Sequence, residues 1–131
     1  ISAQLTSVQR IVLGFASALN ATLDSIASNI WFRFEGANLN VLIEGDDGTT
    51  DTDDVDSGID YVAGAYHVYN IDATDLSRVR FSVDGVEASR TISVSALTAS
   101  LKLQPYICIQ KDSGTAATSL TIDYIRIKAT R

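Results

Sequence analysis

One hairpin decides the fold class: Val79-Arg80-Phe81-Ser82-Val83-Asp84-Gly85-Val86. Its apolar side chains alternate with Arg80, Ser82 and Asp84, a pattern that predicts a strand with one buried face and one solvated face. The Asp-Gly pair that follows is typical of a two-residue turn between antiparallel strands. We therefore predict a β-hairpin whose return strand runs through Ala88 to Val94.

The same two-residue alternation recurs on both sides of this hairpin. The predicted strands are Gln9 to Ala16, Asn29 to Glu35, Asn38 to Glu44, Tyr66 to Ile71, Leu103 to Gln110 and Leu120 to Lys128, with a short one near Ile1 to Thr6. For the segment Ala18 to Ser28 we favour a structured loop over a short helix. Many short strands separated by Gly, Asp, Asn and Ser predict an all-β, two-sheet antiparallel β-sandwich of the jelly-roll kind. A chain of 131 residues fits one such domain, spanning 1–131.

Composition argues against several classes of partner. The net charge of −6 disfavours nucleic acid, because binding to phosphate needs a basic surface. No apolar run approaches the roughly 18 residues of a membrane-spanning helix, and we expect no membrane partner. The single cysteine, Cys108, lies in an apolar run and is predicted to be a small buried hydrophobe.

An acidic segment from Glu44 to Asp60 carries eight of the sixteen carboxylates and no basic residue. Such a stretch repels itself, so we predict a loop. The sharper hypothesis is a Ca²⁺ site, since Ca²⁺ prefers several oxygen ligands, although the EF-hand spacing fails. The plainer interpretation, a solvated connection without any cofactor, is preferred. The candidate metal ligands are Asp46, Asp47, Asp51, Asp53, Asp54 and Asp56.

The sequence holds few residues suited to catalysis, and we predict no catalytic residues and no enzyme. His67 is the only histidine and falls in a predicted strand, where packing is its usual role. No nucleophile elbow, zinc-ligand spacing or glycine-rich phosphate loop is present in the sequence. Glycoside hydrolysis needs two carboxylates around one bond. Glu35 and Glu44 could converge, but their spacing does not demand it.

Trp31, Arg33 and Glu35 form the candidate surface for a ligand or partner. They alternate with Phe32 and Phe34, so they lie on the opposite face of their strand. If that face is partly exposed, Trp31 could stack on a sugar or anchor a protein contact. If both faces of the sheet are covered, Trp31 simply packs. The sequence leaves both readings open.

Several segments together resemble concanavalin A-like (laminin G-like) jelly rolls. They are Asn29 to Gly36, Glu44 to Thr50, Tyr66 to Asp72, Val79 to Val86, Leu103 to Tyr106 and Thr121 to Ile127. The acidic DDGTTDTDD segment and the LQPY strand further resemble small jelly-roll proteins among phage and prophage structural proteins. This fold hosts lectins, hydrolases and scaffolds, so the resemblance is more informative about fold than about function.

The resemblance implies a bacteriophage virion protein, most simply a capsid decoration protein that binds and stabilises the assembled shell. Its partners would be the major capsid protein or other virion proteins, and a homo-oligomer is expected, with a trimer as one form. Such a viral protein would be made in the host cytoplasm and end on the particle surface. The alternative is a lectin-like carbohydrate-binding module or a tail-associated adhesin.

Overall fold

The computed structural model describes residues 1, 5–7, 9–97, 102–115 and 118–128. Its strands are β1 (Gln9–Ala16), β2 (Asn29–Glu35), β3 (Asn40–Asp46), β4 (Asp51–Asp60), β5 (Tyr69–Asp72), β6 (Arg80–Val83), β7 (Val86–Glu87) and β8 (Gln104–Lys111). A single 3₁₀ turn, Leu23–Ser25, interrupts the connection between β1 and β2. In the part of the chain that is described, no helix is long and apolar enough to cross a membrane.

Two antiparallel sheets form a β-sandwich, which confirms the predicted all-β class. The large sheet has the order β4-β3-β2-β1-β8, and the small sheet has the order β5-β6-β7. Between them lies the main core, in which Phe32 meets Phe81 with ring centroids 5.1 Å apart and Phe34 meets Tyr61 at 5.5 Å. Edge-to-face aromatic pairs of this kind add to the stabilisation from burial.

The hairpin that decided the fold class turns as predicted. Val83 pairs with Val86, and the two turn residues Asp84 and Gly85 both have positive φ, 52° and 81°. Positive φ at both positions is the signature of a type I′ turn. The predicted return strand from Ala88 to Val94 is wrong: β7 covers only Val86–Glu87, and the predicted range holds one isolated bridge, between Ile92 and Val79.

The pairing with β6 ends after Glu87 because the residues that follow cross to the large sheet and cover the open side of the sandwich. Ser89 N–H donates to the Ser57 carbonyl of β4, and Ile92 and Val94 pack over Gly45 of β3. A Cβ on Gly45 would lie only 2.5 Å from the Ile92 side chain, so glycine is required at this close approach. For residues 89–94, packing against the large sheet therefore replaces hydrogen-bonded pairing with β6.

Other predicted elements differ in instructive ways. β1 and β2 match their predicted bounds, while β3, β5 and β8 are shifted by one to three residues. Residues 18–28 form the predicted loop apart from the 3₁₀ turn. Leu120 to Lys128 is not a strand, because it has no hydrogen-bonded neighbour among the described residues. The short strand near Ile1 to Thr6 falls mostly outside the described residues, and Leu5 and Thr6 are not in a strand.

The acidic segment from Glu44 to Asp60 was predicted to be a loop, and this holds only for residues 47–50, because Glu44 to Asp46 end β3 and the rest forms β4. Asp51–Asp60 is β4, an edge strand that pairs with β3 through two register shifts. Its carboxylates are largely exposed, whereas Ser57 is buried and Val55 and Ile59 pack against the core. An edge strand can carry repelling charges because one of its sides remains in water.

Candidate functional site

The predicted binding residues lie on the outer face of the large sheet, away from the main core. Trp31, Arg33 and Glu35 of β2 alternate with the core residues Phe32 and Phe34, as predicted. Trp31 belongs to a second apolar cluster on this outer face. Its other members are Val12, Ala16, Leu23, Ile26 and Tyr106, with Cys108 packed against them.

Trp31 is only 1% exposed, so of the two readings left open by the sequence the structure has the packed one. Leu23 and Ile26, from the connection between β1 and β2, are part of the cluster that buries it. The Tyr106 ring of β8 lies 5.9 Å from the Trp31 ring between centroids. In this arrangement Trp31 offers no open ring face on which a sugar could stack.

Arg33 is also buried, and four carboxylates surround its guanidinium. The nearest nitrogen–oxygen distances are 2.7 Å to Glu35, 2.8 Å to Asp24, 3.0 Å to Glu44 and 3.8 Å to Asp54. Arg10 of β1 contacts Glu35 at 3.2 Å from the other side. We call these residues the Arg33 cluster: Arg10, Asp24, Trp31, Arg33, Glu35, Glu44 and Asp54.

Glu44 is the buried carboxylate of the Arg33 cluster, with an exposure of 1%. Its Oε2 accepts a hydrogen bond from Trp31 Nε1, and its Oε1 accepts from Arg33 Nη1 and, at 3.2 Å, from the Asp54 backbone N–H. Each carboxylate oxygen thus has donors, which is what a buried charge requires. Trp31 and Glu44 face each other directly across β2 and β3.

The ionisation of Glu44 and Arg33 is shifted by different causes. Burial raises the pKa of Glu44 to about 7, although the Trp31 N–H and the Arg33 charge both work to lower it. Burial also works to lower the pKa of Arg33, but the charge of Glu44 and the bond to Glu35 outweigh it and raise that pKa above its ordinary value. Arg33 is therefore always charged, and the ion pair is complete only above about pH 7.

A carboxyl group that titrates near neutrality is a common property of catalytic acids. A general acid must, however, reach the substrate atom that it protonates. Glu44 is covered on its sheet face and spends both oxygens on Trp31, Arg33 and Asp54. The geometry lets the Arg33 cluster brace β2, β3, β4 and the 3₁₀ turn against one another.

Some of the candidate metal ligands lie near one another, since Asp46 pairs with Asp51 across β3 and β4 and the carboxyl groups of Asp51 and Asp53 interact. Asp46 Oδ1 accepts from Gly48 N–H at 2.8 Å, and Asp56 accepts from Gly58 N–H and Asn40 Nδ2. Asp54 lies beside Arg33, while Asp51 and Asp53 are exposed on β4. Among the described residues no group of three or more His, Cys, Asp or Glu side chains is placed to hold a metal ion. The Ca²⁺ hypothesis stays a prediction.

Asp47 has a structural task that composition could not reveal. Its Oδ1 accepts from the N–H groups of Thr49 and Thr50, and its Oδ2 accepts from Ala96 N–H at 2.9 Å. Backbone donors at Thr50 and Ala96 hold the pKa of Asp47 below its usual range. One carboxylate therefore closes the β3–β4 turn and ties it to the segment that follows Val94.

His67 lies just before β5 rather than inside a strand. Its Nδ1 is 2.7 Å from Asp84 Oδ2, and its Nε2 is 3.2 Å from Val62 N. Asp84 also accepts from Val68 N–H at 2.7 Å. Both ring nitrogens thus contact residues that join the β5 approach to the Asp84-Gly85 turn. Cys108 is half-buried, so the predicted full burial of its side chain is wrong.

Comparison with known proteins adds no family to this description. No protein-family model matches the chain, and neither a curated protein nor a solved structure gives a significant match.

Proposed function

We propose that this chain is a non-enzymatic structural protein that works by assembling with other proteins. The observation that carries the proposal is the contrast between its polar and apolar side chains. Trp31, Arg33 and Glu44, the residues best suited to recognising or transforming a small molecule, are buried and bonded to one another. Several large apolar side chains, in contrast, are exposed to solvent.

Those exposed apolar side chains concentrate toward the end of the chain. Half of the large hydrophobic residues that are exposed in the described part lie between Gln104 and Lys128: Ile107, Ile109, Ile122, Tyr124, Ile125 and Ile127. Scattered surface hydrophobes need no explanation, but a concentration on one strand and one segment is typical of a protein–protein interface. This distribution supports assembly over catalysis.

The finer proposal is a capsid decoration protein on the surface of a bacteriophage virion. It is supported by the sequence resemblance to phage jelly rolls and by the acidic surface, which disfavours binding to packaged nucleic acid. The partner would be the major capsid protein, and the jelly-roll class is proposed with it. After the excursion into the small sheet, β8 returns beside β1, a long connection of the Greek-key kind.

Quantitative mass spectrometry of purified virions from the source culture tests this proposal. A copy number close to that of the major capsid protein is expected for a decoration protein, since every shell position offers the same surface. A few copies per particle would instead favour a tail adhesin. Absence of the chain from the particles would overturn the virion assignment.

A second candidate function is carbohydrate binding, which one feature favours. An open groove with a volume of about 610 Å³ runs between β4 and residues 89–92, where Asp56, Arg90 and Thr91 line it. Carboxylate, guanidinium and hydroxyl groups can hydrogen-bond sugar hydroxyls. A glycan array with the wild-type chain and with Asp56→Ala tests this function. Binding that the substitution abolishes would favour it, and no binding with or without Ca²⁺ would remove it.

A further inference from the structure

The outer edge of β8 is a regular strand edge without a neighbour in the described part of the chain. β8 pairs with β1 without interruption from Gln104 opposite Ala16 to Lys111 opposite Gln9. On its other side the backbone groups face outward, and Ile107 and Ile109 are 39% and 45% exposed. Unpaired backbone groups beside apolar side chains are a template for an additional strand.

The segment from Leu120 to Lys128 has the sequence of a strand, but no strand of the described residues pairs with it. Leu120 is partly buried and packs against the main core. Beyond it the chain is exposed, and Ile125 and Ile127 are 60% and 53% exposed. These two isoleucines are separated by one residue, as are Ile107 and Ile109 in β8, so each pair presents one apolar face in an extended chain.

One antiparallel register brings the two apolar faces together and also matches their charges. The opposed pairs in this register are Ile107 with Ile127, Ile109 with Ile125, and Lys111 with Asp123. All three pairs point to the same face, because the partners on each strand are two residues apart. Directly opposed β-branched and opposite-charge pairs are the stabilising units of a sheet. A slip by one residue would turn Arg126 and Tyr124 toward the isoleucines instead.

We propose that the Asp123–Ile127 segment of a second copy of this chain adds to the β8 edge in this register. In a single copy both the edge and the segment are exposed. When two copies meet, the segment of one covers the β8 edge of the other, so that one contact buries both surfaces. Strand addition of this kind gains affinity from backbone hydrogen bonds and specificity from alternate side chains. Reciprocal exchange between copies closes into a symmetric dimer or ring.

Disulfide trapping tests both the register and the identity of the occupant. The chain would carry Ile109→Cys and Ile125→Cys in a Cys108→Ser background, with circular dichroism to confirm folding. After mild oxidation we expect disulfide-linked dimers or larger species on a non-reducing gel. A monomer with an internal disulfide would show that the segment pairs with its own β8. Two unreacted thiols would show that the strands do not meet. Either result overturns the proposal.

A matched control moves the edge cysteine from β8 to β4, the opposite edge of the large sheet. Asp53→Cys with Ile125→Cys, in the same background, places an equally exposed thiol on β4. We expect at least about tenfold less crosslinked product, since β4 does not present the matching apolar pair. Equal crosslinking by both variants would mean that collision rather than pairing forms the disulfide, and would overturn the assigned register.

Mixing two variants provides a test that needs no oxidation. Ile109→Lys disables the edge, and Ile125→Lys disables the segment, so each variant alone should sediment as a monomer. A mixture retains one intact edge and one intact segment, and we expect a heterodimer in sedimentation velocity. Failure of the mixture to associate, while wild type associates, would overturn exchange between copies.

This inference deepens the proposed assembly role by naming one contact surface. Its tests use the purified chain alone, without any virion. A chain that pairs in this way but is absent from virions would refute the decoration role only. A chain abundant in virions that fails to crosslink would refute strand exchange only.

Discussion

β4 and β8 close the same large sheet at opposite edges, and their sequences treat those edges differently. β4 pairs with β3 through two register shifts, has positive φ at Asp54 and Gly58, and exposes a series of carboxylates. β8 pairs regularly with β1 and exposes Ile107 and Ile109. Bulges and charges are the features that keep an edge from pairing, whereas a flat apolar edge invites it.

Carboxylates on an edge strand therefore benefit from a cation inside the sheet. β4 accommodates its carboxylates partly because Arg33 of β2, two strands further in, contacts Asp54 of β4 and Glu44 of β3. β8 carries a single charge, Lys111, beside its exposed isoleucines, so it needs no such brace.

Removal of Arg33 should have the largest effect on stability. At pH 8 the substitution Arg33→Met removes the cation that partners buried Glu44, so Glu44 must either stay charged without a partner or take up a proton. Removal of one partner of a buried ion pair typically costs about 3–5 kcal/mol. The free energy of unfolding from urea titration measures the loss. The matched control is Arg10→Met, whose half-exposed pairs with Glu35 and Asp112 should contribute about 1 kcal/mol or less. Equal losses for the two variants would contradict the bracing role of Arg33.

The pH dependence of stability should report Glu44. Its pKa is about 7 in the folded chain and about 4.5 in the unfolded chain, so the folded state binds the proton more tightly. The stabilisation from this group is therefore complete below pH 4.5 and is lost as the pH rises through 7. Between those values we expect wild type to lose roughly 1–3 kcal/mol relative to Glu44→Gln. Parallel curves for the two proteins in thermal denaturation would refute this.

Self-association should depend on the β8 edge and not on the β4 edge. Ile109→Lys places a charge on the proposed contact, and we expect the dissociation constant to rise at least about tenfold, or 1.4 kcal/mol. Asp53→Lys on β4 changes the net charge by more, yet should leave the dissociation constant within about twofold. Sedimentation equilibrium distinguishes these outcomes. A larger effect from Asp53→Lys would mean that overall charge governs association.

The smallest effect should come from the proposed pairing of Lys111 with Asp123. Both side chains are exposed, and a pair of this kind changes affinity by about two- to fivefold. Asp123→Lys should weaken association by that factor, and adding Lys111→Asp should restore it. Additive weakening in the double variant, measured by the same sedimentation method, would place the two residues apart.

The sequence predicted those parts of the fold in which local pattern and tertiary role agree. Apolar and polar side chains alternate strongly in β1 and β2, and Asp-Gly strongly favours a two-residue turn at Asp84-Gly85. Both predictions were confirmed. β4 was missed because composition dominated the reading. Behind its carboxylates, Val55, Ser57 and Ile59 already alternate in the manner of a strand with one covered side.

The sequence predicted which residues form the candidate site but did not predict that Trp31 and Arg33 are buried. Alternation correctly placed Trp31, Arg33 and Glu35 on one face of β2. Their burial depends on Leu23 and Ile26, from a connection whose course no local pattern defines. Asp24 belongs to the same connection and gave no signal. Glu44 did give one, as a lone charge following the apolar run Val41 to Ile43.

β2 lies at the centre of the large sheet and is buried on both faces, by the main core on one side and by the second apolar cluster, which contains Trp31, on the other. Hydrogen exchange should therefore find its amide protons among the last to be replaced by deuterium. The edges can open and close in local fluctuations, but β2 is released only when the whole sheet comes apart. Exchange of this seven-residue strand should therefore report the global unfolding of the molecule.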